Sequence, residues 1–272
     1  MNAISGVSTP PAPAGSDAAS NAFPPERVWP GLAHAARAIG VPLEGEAAAR
    51  FAQYQELLLT HSVRFNLTAI REPHEIERRL FLDAVAMVPA LDAAVAAIPL
   101  PAGQAHSLVD IGTGAGFPGL VLKIARPALD VTLIDATAKK VSFLRTVIAA
   151  LKLDTVGVVH GRAEDLGHDP AFRARFDVAT ARAVANLPVL LEYVVPLLKI
   201  GGTALLPKGL EIDEEMRTGN RAAAHLGAAI VSDARLPVDG TRLIIASKCA
   251  PTPGAYPRRV GIPSRSPLGE RS

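Results

Sequence analysis

The sequence predicts an α/β fold: a mostly parallel sheet closed by an antiparallel final strand and preceded by a helical N-terminal region. Three observations predict it. From His106 onward, short apolar runs alternate with helical segments of 8 to 16 residues, and strands separated by helices must cross over the sheet, which makes them parallel. The first run, "SLVDI", ends in a glycine-rich turn with four glycines in eight residues, Gly112 to Gly119. The last two runs, "AAIVSDARL" and "TRLIIASKC", are separated only by the short turn "PVDG", which is hairpin spacing and so sets one strand antiparallel.

Taken in order, residues 1–26 are rich in Ala, Pro, Ser and Gly with little to bury, and are expected to form a disordered extension. Over residues 27–100 the apolar positions recur at helical spacing. Ala47, Phe51, Tyr54 and Leu58 step by four, three and four, as do Ile76, Leu80, Ala84, Met87 and Leu91. Residues 101–250 hold the alternating strands "SLVDI", "DVTLID", "VGVVHG", "FDVATA" and "TALLPKG" and the closing hairpin. Val141, Leu144, Ile148 and Leu151 line one face of the helix after the second strand. Residues 251–272 form a basic C-terminal tail.

Composition bounds the function. At 272 residues and 49% hydrophobic content, the chain has enough apolar material for one substantial core. A single cysteine, Cys249, excludes an internal disulfide, and its place on the predicted last strand reads as a buried core thiol. The seven histidines are scattered, so no metal site is expected, and His160 reads as structural. Ala84 to Leu100 is interrupted by Asp92 and two prolines, too short a run to span a bilayer, and no secretory signal pattern opens the chain. A cytoplasmic protein is the expectation. Nothing in the sequence indicates an oligomer. The formal charge of +2 is unevenly spread: Lys248, Arg258, Arg259, Arg265 and Arg271 crowd the C-terminal end against Glu270. Such a cluster suits a polyanionic partner or is simply a solvated tail.

The glycine turn poses a choice of cofactor. Read from Gly114, the letters satisfy the dinucleotide pattern G-x-G-x-x-G; read from Asp110, they satisfy D-x-G-x-G-x-G, the pattern of S-adenosylmethionine binders. In an open α/β sheet the ligand sits at the carboxyl ends of the strands, and Pro118 is expected to begin the next helix. Asp135, 21 residues after Gly114, suits the ribose diol of either ligand. Charge separates the two. A dinucleotide brings an anionic pyrophosphate to the turn, whereas S-adenosylmethionine brings a sulfonium and an ammonium. A carboxylate at Asp110 repels the first and attracts the second, by roughly 4 kcal/mol at about 4 Å in an effective dielectric of about 20. The other reading of Asp110 is a carboxylate that caps the turn through backbone N–H groups.

The segments "RFNLTAI", "DIGTGAGFPG", "LIDATAKKVSFLR", "GRAED", "ARAVANLP", "LLPKG" and "TPGAYPRRVGIPSRSPLG" resemble, in order, the RsmG (GidB) family of ribosomal RNA small-subunit methyltransferases, over about Arg64 to Gly269. The resemblance implies a Rossmann-like class I methyltransferase that moves a methyl group from S-adenosylmethionine to N7 of a guanine in 16S rRNA, with that RNA or the small ribosomal subunit as partner. It implies cofactor contacts at Gly112, Phe117, Ala163, Glu164 and Arg182, beside Asp110, Gly114 and Asp135 from the turn itself. Glu164 and Asp165 also suit the dipole of a helix N-terminus, and Phe117 also suits a core position. The chain departs from the family in having Leu80 and Ala84 where a His and a Ser are common, while Asp83 is kept.

Guanine N7 has a lone pair and no proton to lose, so its methylation needs alignment, not a general base. "TARAVANLP" lacks the D/N-P-P-aromatic motif expected of an exocyclic-amine methylase, and no cysteine stands near that loop for carbon methylation. Arg182 and Lys208, at carboxyl ends of strands, are the candidate catalytic residues, one donating to guanine O6 or a flanking phosphate; Lys208 also reads as an ordinary strand-end lysine. With aromatics at 4%, no stacking platform is visible, and RNA binding is expected to be salt-sensitive. A nicotinamide-dependent oxidoreductase, a non-catalytic RNA-binding module and a small-molecule methyltransferase are the rival readings.

Overall fold

The computed structural model describes residues 31–43, 45–65, 67–238 and 240–270. The extension expected over residues 1–26 lies outside them. Seven strands form one sheet in the order β3-β2-β1-β4-β5-β7-β6: β1 (Ser107–Ile111), β2 (Asp130–Asp135), β3 (Val156–His160), β4 (Phe176–Ala181), β5 (Leu198–Lys208), β6 (Ala228–Arg235) and β7 (Arg242–Lys248). The first five pair in parallel. β7 runs antiparallel to both neighbours, Leu205 facing Ile245 on one side and Ala229 facing Ser247 on the other. The final strand therefore slots inside the sheet, not at its edge.

The helical N-terminal region comprises α1 (Leu32–Ala38), α2 (Glu46–Phe65), α3 (Pro73–Ile76), a π-helical stretch (Glu77–Leu82), α4 (Asp83–Val85) and α5 (Val88–Ala96). The periodic run from Ile76 to Leu91 is thus several segments; Pro89, in the first turn of α5, starts a new one there. Crossovers are made by α6 (Gly119–Ala125), α7 (Ala138–Ala150), α8 (Ala163–Leu166) and α9 (Leu187–Val194), and α10 (Asp213–Leu226) leads to β6.

Alternate strand residues feed two cores. Leu108, Leu133, Val178 and Leu205 face α2, α6, α7 and the N-terminal region, while Val109, Ile134, Ala179 and Leu206 face α9 and α10. Leu58 of α2 is fully buried, and such burial stabilises by about 1.5–3 kcal/mol. The period of two also sets Asp110 on the side of Leu108, toward α2. This register brings the N-terminal helices to the glycine turn.

Beyond β7 the chain packs back on the body and includes the short helix α11 (Ile262–Arg265). Arg173 donates to the carbonyls of Gly167, Thr252 and Tyr256 at 2.6, 2.8 and 2.7 Å. Arg258, grouped by sequence in the basic C-terminal cluster, is instead bound to the fully buried Glu192, its Nη2 2.6 Å from Oε2. Arg259 and Arg265 stay exposed. Cys249 corrects another expectation: it is exposed, one residue past β7, because the buried position at that strand end belongs to Lys248.

Candidate functional site

Gly112, Gly114 and Gly116 carry the chain out of β1 with φ of 64°, 63° and 105°. Asp110, 0% exposed, organises this turn from beneath. Its Oδ2 accepts from Thr113 Oγ1 at 2.5 Å and from the Gly119 N–H at 2.8 Å. A Cβ at Gly119 would lie 2.8 Å from the same oxygen, so only glycine allows the helix to start this close to the carboxylate. Oδ1 is buried and has no partner. Burial pushes the Asp110 carboxyl up to about 7, against the Thr113 and Gly119 hydrogen bonds and the Arg182 charge, which favour ionisation. Pro118 is not the first helical residue but the cap before Gly119, following a cis Phe117–Pro118 bond.

Asp135 ends β2 beside the turn. Its Oδ2 accepts from the Gly114 N–H at 2.9 Å and its Oδ1 from the Thr137 N–H at 2.8 Å, with Lys140 Nζ 3.8 Å away. Above Gly114 the space is open: a Cβ there would find no heavy atom nearer than 3.9 Å. Gly112 is different, since a Cβ on it would meet Val184 Cγ2 at 2.6 Å. The loop after β4 therefore leans on the glycine turn.

One wall of the site comes from the helical region, and sequence reasoning missed most of it. Tyr54 of α2 is fully buried, donates its hydroxyl to the Ala115 carbonyl, and stacks on Phe117 with centroids 5.5 Å apart and planes 9° off parallel. Burial raises the Tyr54 hydroxyl well above its ordinary pKa, so it remains a donor. The available signal was a phenol within an apolar stripe, because a buried tyrosine hydroxyl needs a partner. Phe81 packs against both rings, its centroid 5.6 Å from that of Phe117 and 5.3 Å from that of Tyr54. Phe117 is accordingly a core residue inside the glycine turn. Arg182, first residue after β4, sits 5.2 Å above the Phe117 ring and donates to Asp83 Oδ2 at 3.0 Å.

The remaining candidates surround this centre. Ala163 and Glu164 open α8, after β3 and next to β2; both are buried, and Glu164 Oε1 accepts from the Gly261 N–H at 3.2 Å. Lys208, last residue of β5, donates to the Ala185 carbonyl at 3.0 Å and pairs with Glu215 at 2.8 Å. Glu215 also accepts from the Leu187 N–H at 2.7 Å. Lys208 thus fastens the loop that carries Val184. His160 Nε2 bonds the Ala136 carbonyl at 3.0 Å. Asp110, Gly112, Gly114, Phe117, Asp135 and Arg182 therefore converge on the ends of β1, β2 and β4, with Lys208 one strand further on.

A glycine turn over a buried carboxylate, at the carboxyl end of a parallel sheet, is common to many cofactor-binding chains. Similarity narrows it. Residues 47–235 match the family model described as GidB, rRNA small subunit methyltransferase G. The chain belongs to the rRNA small subunit methyltransferase G family. Relatives bearing that name are 43% identical over 235 residues in Desulfitobacterium hafniense, covering 85% of this chain and 93% of the relative, and 44% identical over 232 residues in Chloroflexus aggregans, covering 84% and 93%. A relative from Leuconostoc citreum is 40% identical over 84% of this chain and 94% of its own. The family model thus takes in α2 with Tyr54, the glycine turn and both β4 and β5. It ends at Arg235, but the alignments with these relatives are longer. Among the described residues, no helix is long and apolar enough to cross a membrane and no group of His, Cys, Asp and Glu is arranged to hold a metal ion.

Proposed function

We propose that this chain transfers a methyl group from S-adenosylmethionine to N7 of a guanine in 16S rRNA. The observation that carries the reading is the unpartnered Oδ1 of Asp110, a buried acceptor beneath the glycine turn. A buried oxygen without a donor is costly, and a cationic ligand relieves that cost where a pyrophosphate would aggravate it. Asp110 both caps the turn through Oδ2 and keeps Oδ1 for the ligand, so the two roles weighed for it are compatible. Asp135 and the open side of Gly114 take the ribose end, Ala163 and Glu164 the adenine edge, and Phe117 lines the floor.

S-adenosylmethionine supplies a methyl group on a positively charged sulfur; when N7 takes that carbon, the electrons of the broken S–C bond stay on sulfur and the positive charge passes to guanine. No proton moves, so the residues here serve alignment, which is worth roughly 7–11 kcal/mol for well-oriented reactants. Arg182 and Lys208 fix the two ends of the loop that faces the base, Arg182 from its first residue and Lys208 through the Ala185 carbonyl. Guanine N7 lies in the deep, narrow major groove of A-form RNA, so the target stands in a loop, a junction or a flipped state. Exposed Arg259 and Arg265 supply phosphate contacts around it.

The test is incubation of the protein with labelled methyl donor and small subunits that lack the modification, followed by reduction and strand cleavage at N7-methylguanine. A single labelled, cleavable guanine in 16S rRNA is expected. Label that resists cleavage, or that enters no RNA, overturns the assignment.

A further inference from the structure

The site described above is built for a cation and yet holds an arginine. Resting on the proposed use of S-adenosylmethionine, we infer that Asp83 is a positioning residue and counter-ion: by neutralising Arg182 it lets the pocket prefer the positively charged methyl donor over its neutral-sulfur product.

Asp83 begins α4, where the π-helical stretch ends, and belongs to the N-terminal helical region. Both its oxygens are committed to groups far along the chain. Oδ2 accepts from Arg182 Nη1 at 3.0 Å, and Oδ1 accepts from Thr241 Oγ1 at 2.7 Å, at the start of β7. Residues 99 and 158 positions away are thereby joined at one carboxylate. The pair is mostly shielded, with Arg182 at 15% and Asp83 at 16% side-chain exposure.

Arg182 is held over the Phe117 ring inside the glycine turn, and its charge is felt by both Asp110 and Tyr54. Among the described residues its other hydrogen bond is to the Arg79 carbonyl at 3.5 Å, a neutral group. Arg79 itself leans on Glu75 at 3.8 Å. The other cation at the turn, Lys140, already faces Asp135. Asp83 is therefore the carboxylate in ion-pair contact with Arg182, and removing its charge leaves Arg182 without a contacting counter-ion beside the seat of a sulfonium, with Asp110 acting on it only from a distance. Two unit charges about 10 Å apart in an effective dielectric of about 20 interact strongly enough to change a binding constant about tenfold. The product differs from the donor by the lost methyl group and, with it, the sulfonium charge, so it escapes this penalty.

The experiment is calorimetric titration of the full chain with S-adenosylmethionine and with S-adenosylhomocysteine, comparing wild type, Asp83→Asn and Arg182→Gln. In Asp83→Asn the donor-to-product affinity ratio is expected to fall about tenfold, with product affinity nearly unchanged. In Arg182→Gln, which leaves the Asp83 carboxylate unpaired, the ratio is expected to rise. Thr241→Val, which breaks the network but keeps the charges, is expected to leave the ratio unmoved. Equal losses for both ligands in Asp83→Asn, or a ratio that does not respond in Arg182→Gln, overturn the inference; should Asp83→Asn not fold, Arg182→Gln decides alone. Wild type that binds neither ligand overturns the proposed function instead.

Discussion

Asp110 and Glu192 are both fully buried carboxylates, yet the molecule completes them differently. On α9, Glu192 receives the Arg258 backbone N–H at 2.7 Å and its Nε and Nη2 at 2.9 and 2.6 Å, so both oxygens are occupied by the returning C-terminal segment. Lys123 is finished in the same way, donating to Pro127 O, Leu129 O and Thr155 Oγ1 at 2.6, 2.6 and 2.8 Å. At the glycine turn, Asp110 is given two donors on one oxygen and none on the other. Glu192 and Lys123 are completed by partners within the fold, whereas Asp110 keeps one acceptor open, and the proposed function assigns that acceptor to the ligand. The rule is one of satisfaction, since an unpaired buried polar atom is costly and persists where something else relieves it.

The largest effect that separates the two regions is expected at Arg258. Truncation by Arg258→Ala strands Glu192 in an apolar setting and frees the segment that also supports Glu164 through Gly261. Breaking one side of a buried pair costs about 3–5 kcal/mol, to be measured by urea denaturation. A loss below about 1 kcal/mol would mean that the C-terminal segment is only laid on the surface, since an exposed pair is worth no more. The comparison would then fail on its structural side.

Asp110→Asn probes the other side. Asn keeps an oxygen for Thr113 and Gly119 and loses the charge. A charge-assisted hydrogen bond is worth about 1.5–3 kcal/mol, so donor affinity is expected to fall by roughly tenfold to a hundredfold. Stability should move the opposite way. The folded-state pKa of Asp110 is raised to about 7 by burial, so the folded form holds its proton more tightly than the unfolded one. This group's contribution therefore falls as pH rises from the ordinary carboxylate range to about 7 and is level above that. The advantage of Asp110→Asn in thermal unfolding should grow over the same interval. Donor binding to wild type, which needs the ionised form, should tighten as pH rises toward 7 and release a proton, while Asp110→Asn shows neither. A wild-type affinity that is flat between pH 5.5 and 8 would show that Oδ1 does not face the ligand's charge.

The mostly parallel sheet, the glycine turn and the closing hairpin were legible because each rests on a local pattern: alternation of apolar runs, glycine spacing, and a turn too short for a crossover; the insertion of β7 between β5 and β6 was not. Asp110 was legible for the same reason, lying next to the turn, and Asp135 because it ends the strand after it, 21 positions on. What the sequence hid depends on distant approach. Tyr54 reaches Ala115 across 61 positions and Arg258 reaches Glu192 across 66, and no local periodicity marks such pairs. Cys249 was misjudged by one residue. Strand alternation marks buried positions, and here the last of them, Lys248, is a lysine whose Nζ donates to the Leu198 carbonyl at 2.7 Å. Reading the C-terminal arginines as one basic cluster failed similarly, because charge counted along a chain does not reveal which charges are already paired.

That last distinction gives the smallest effect and the finest test of the comparison. If paired charges are structural and unpaired ones face a ligand, Arg258 contributes nothing to RNA affinity beyond holding the fold, while Arg259 and Arg265 each neutralise a phosphate. Each such contact contributes about 0.7–0.9 to the slope of log affinity against log salt. The double variant Arg259→Gln/Arg265→Gln should therefore flatten the slope by about 1.5, weakening binding modestly at low salt and less as salt rises. Its urea midpoint should match wild type, because neither guanidinium is buried. The measurement is filter binding of 16S rRNA fragments across a salt series. An unchanged slope would remove the C-terminal segment from the RNA interface and leave it the single task of holding Glu164 and α9 in place.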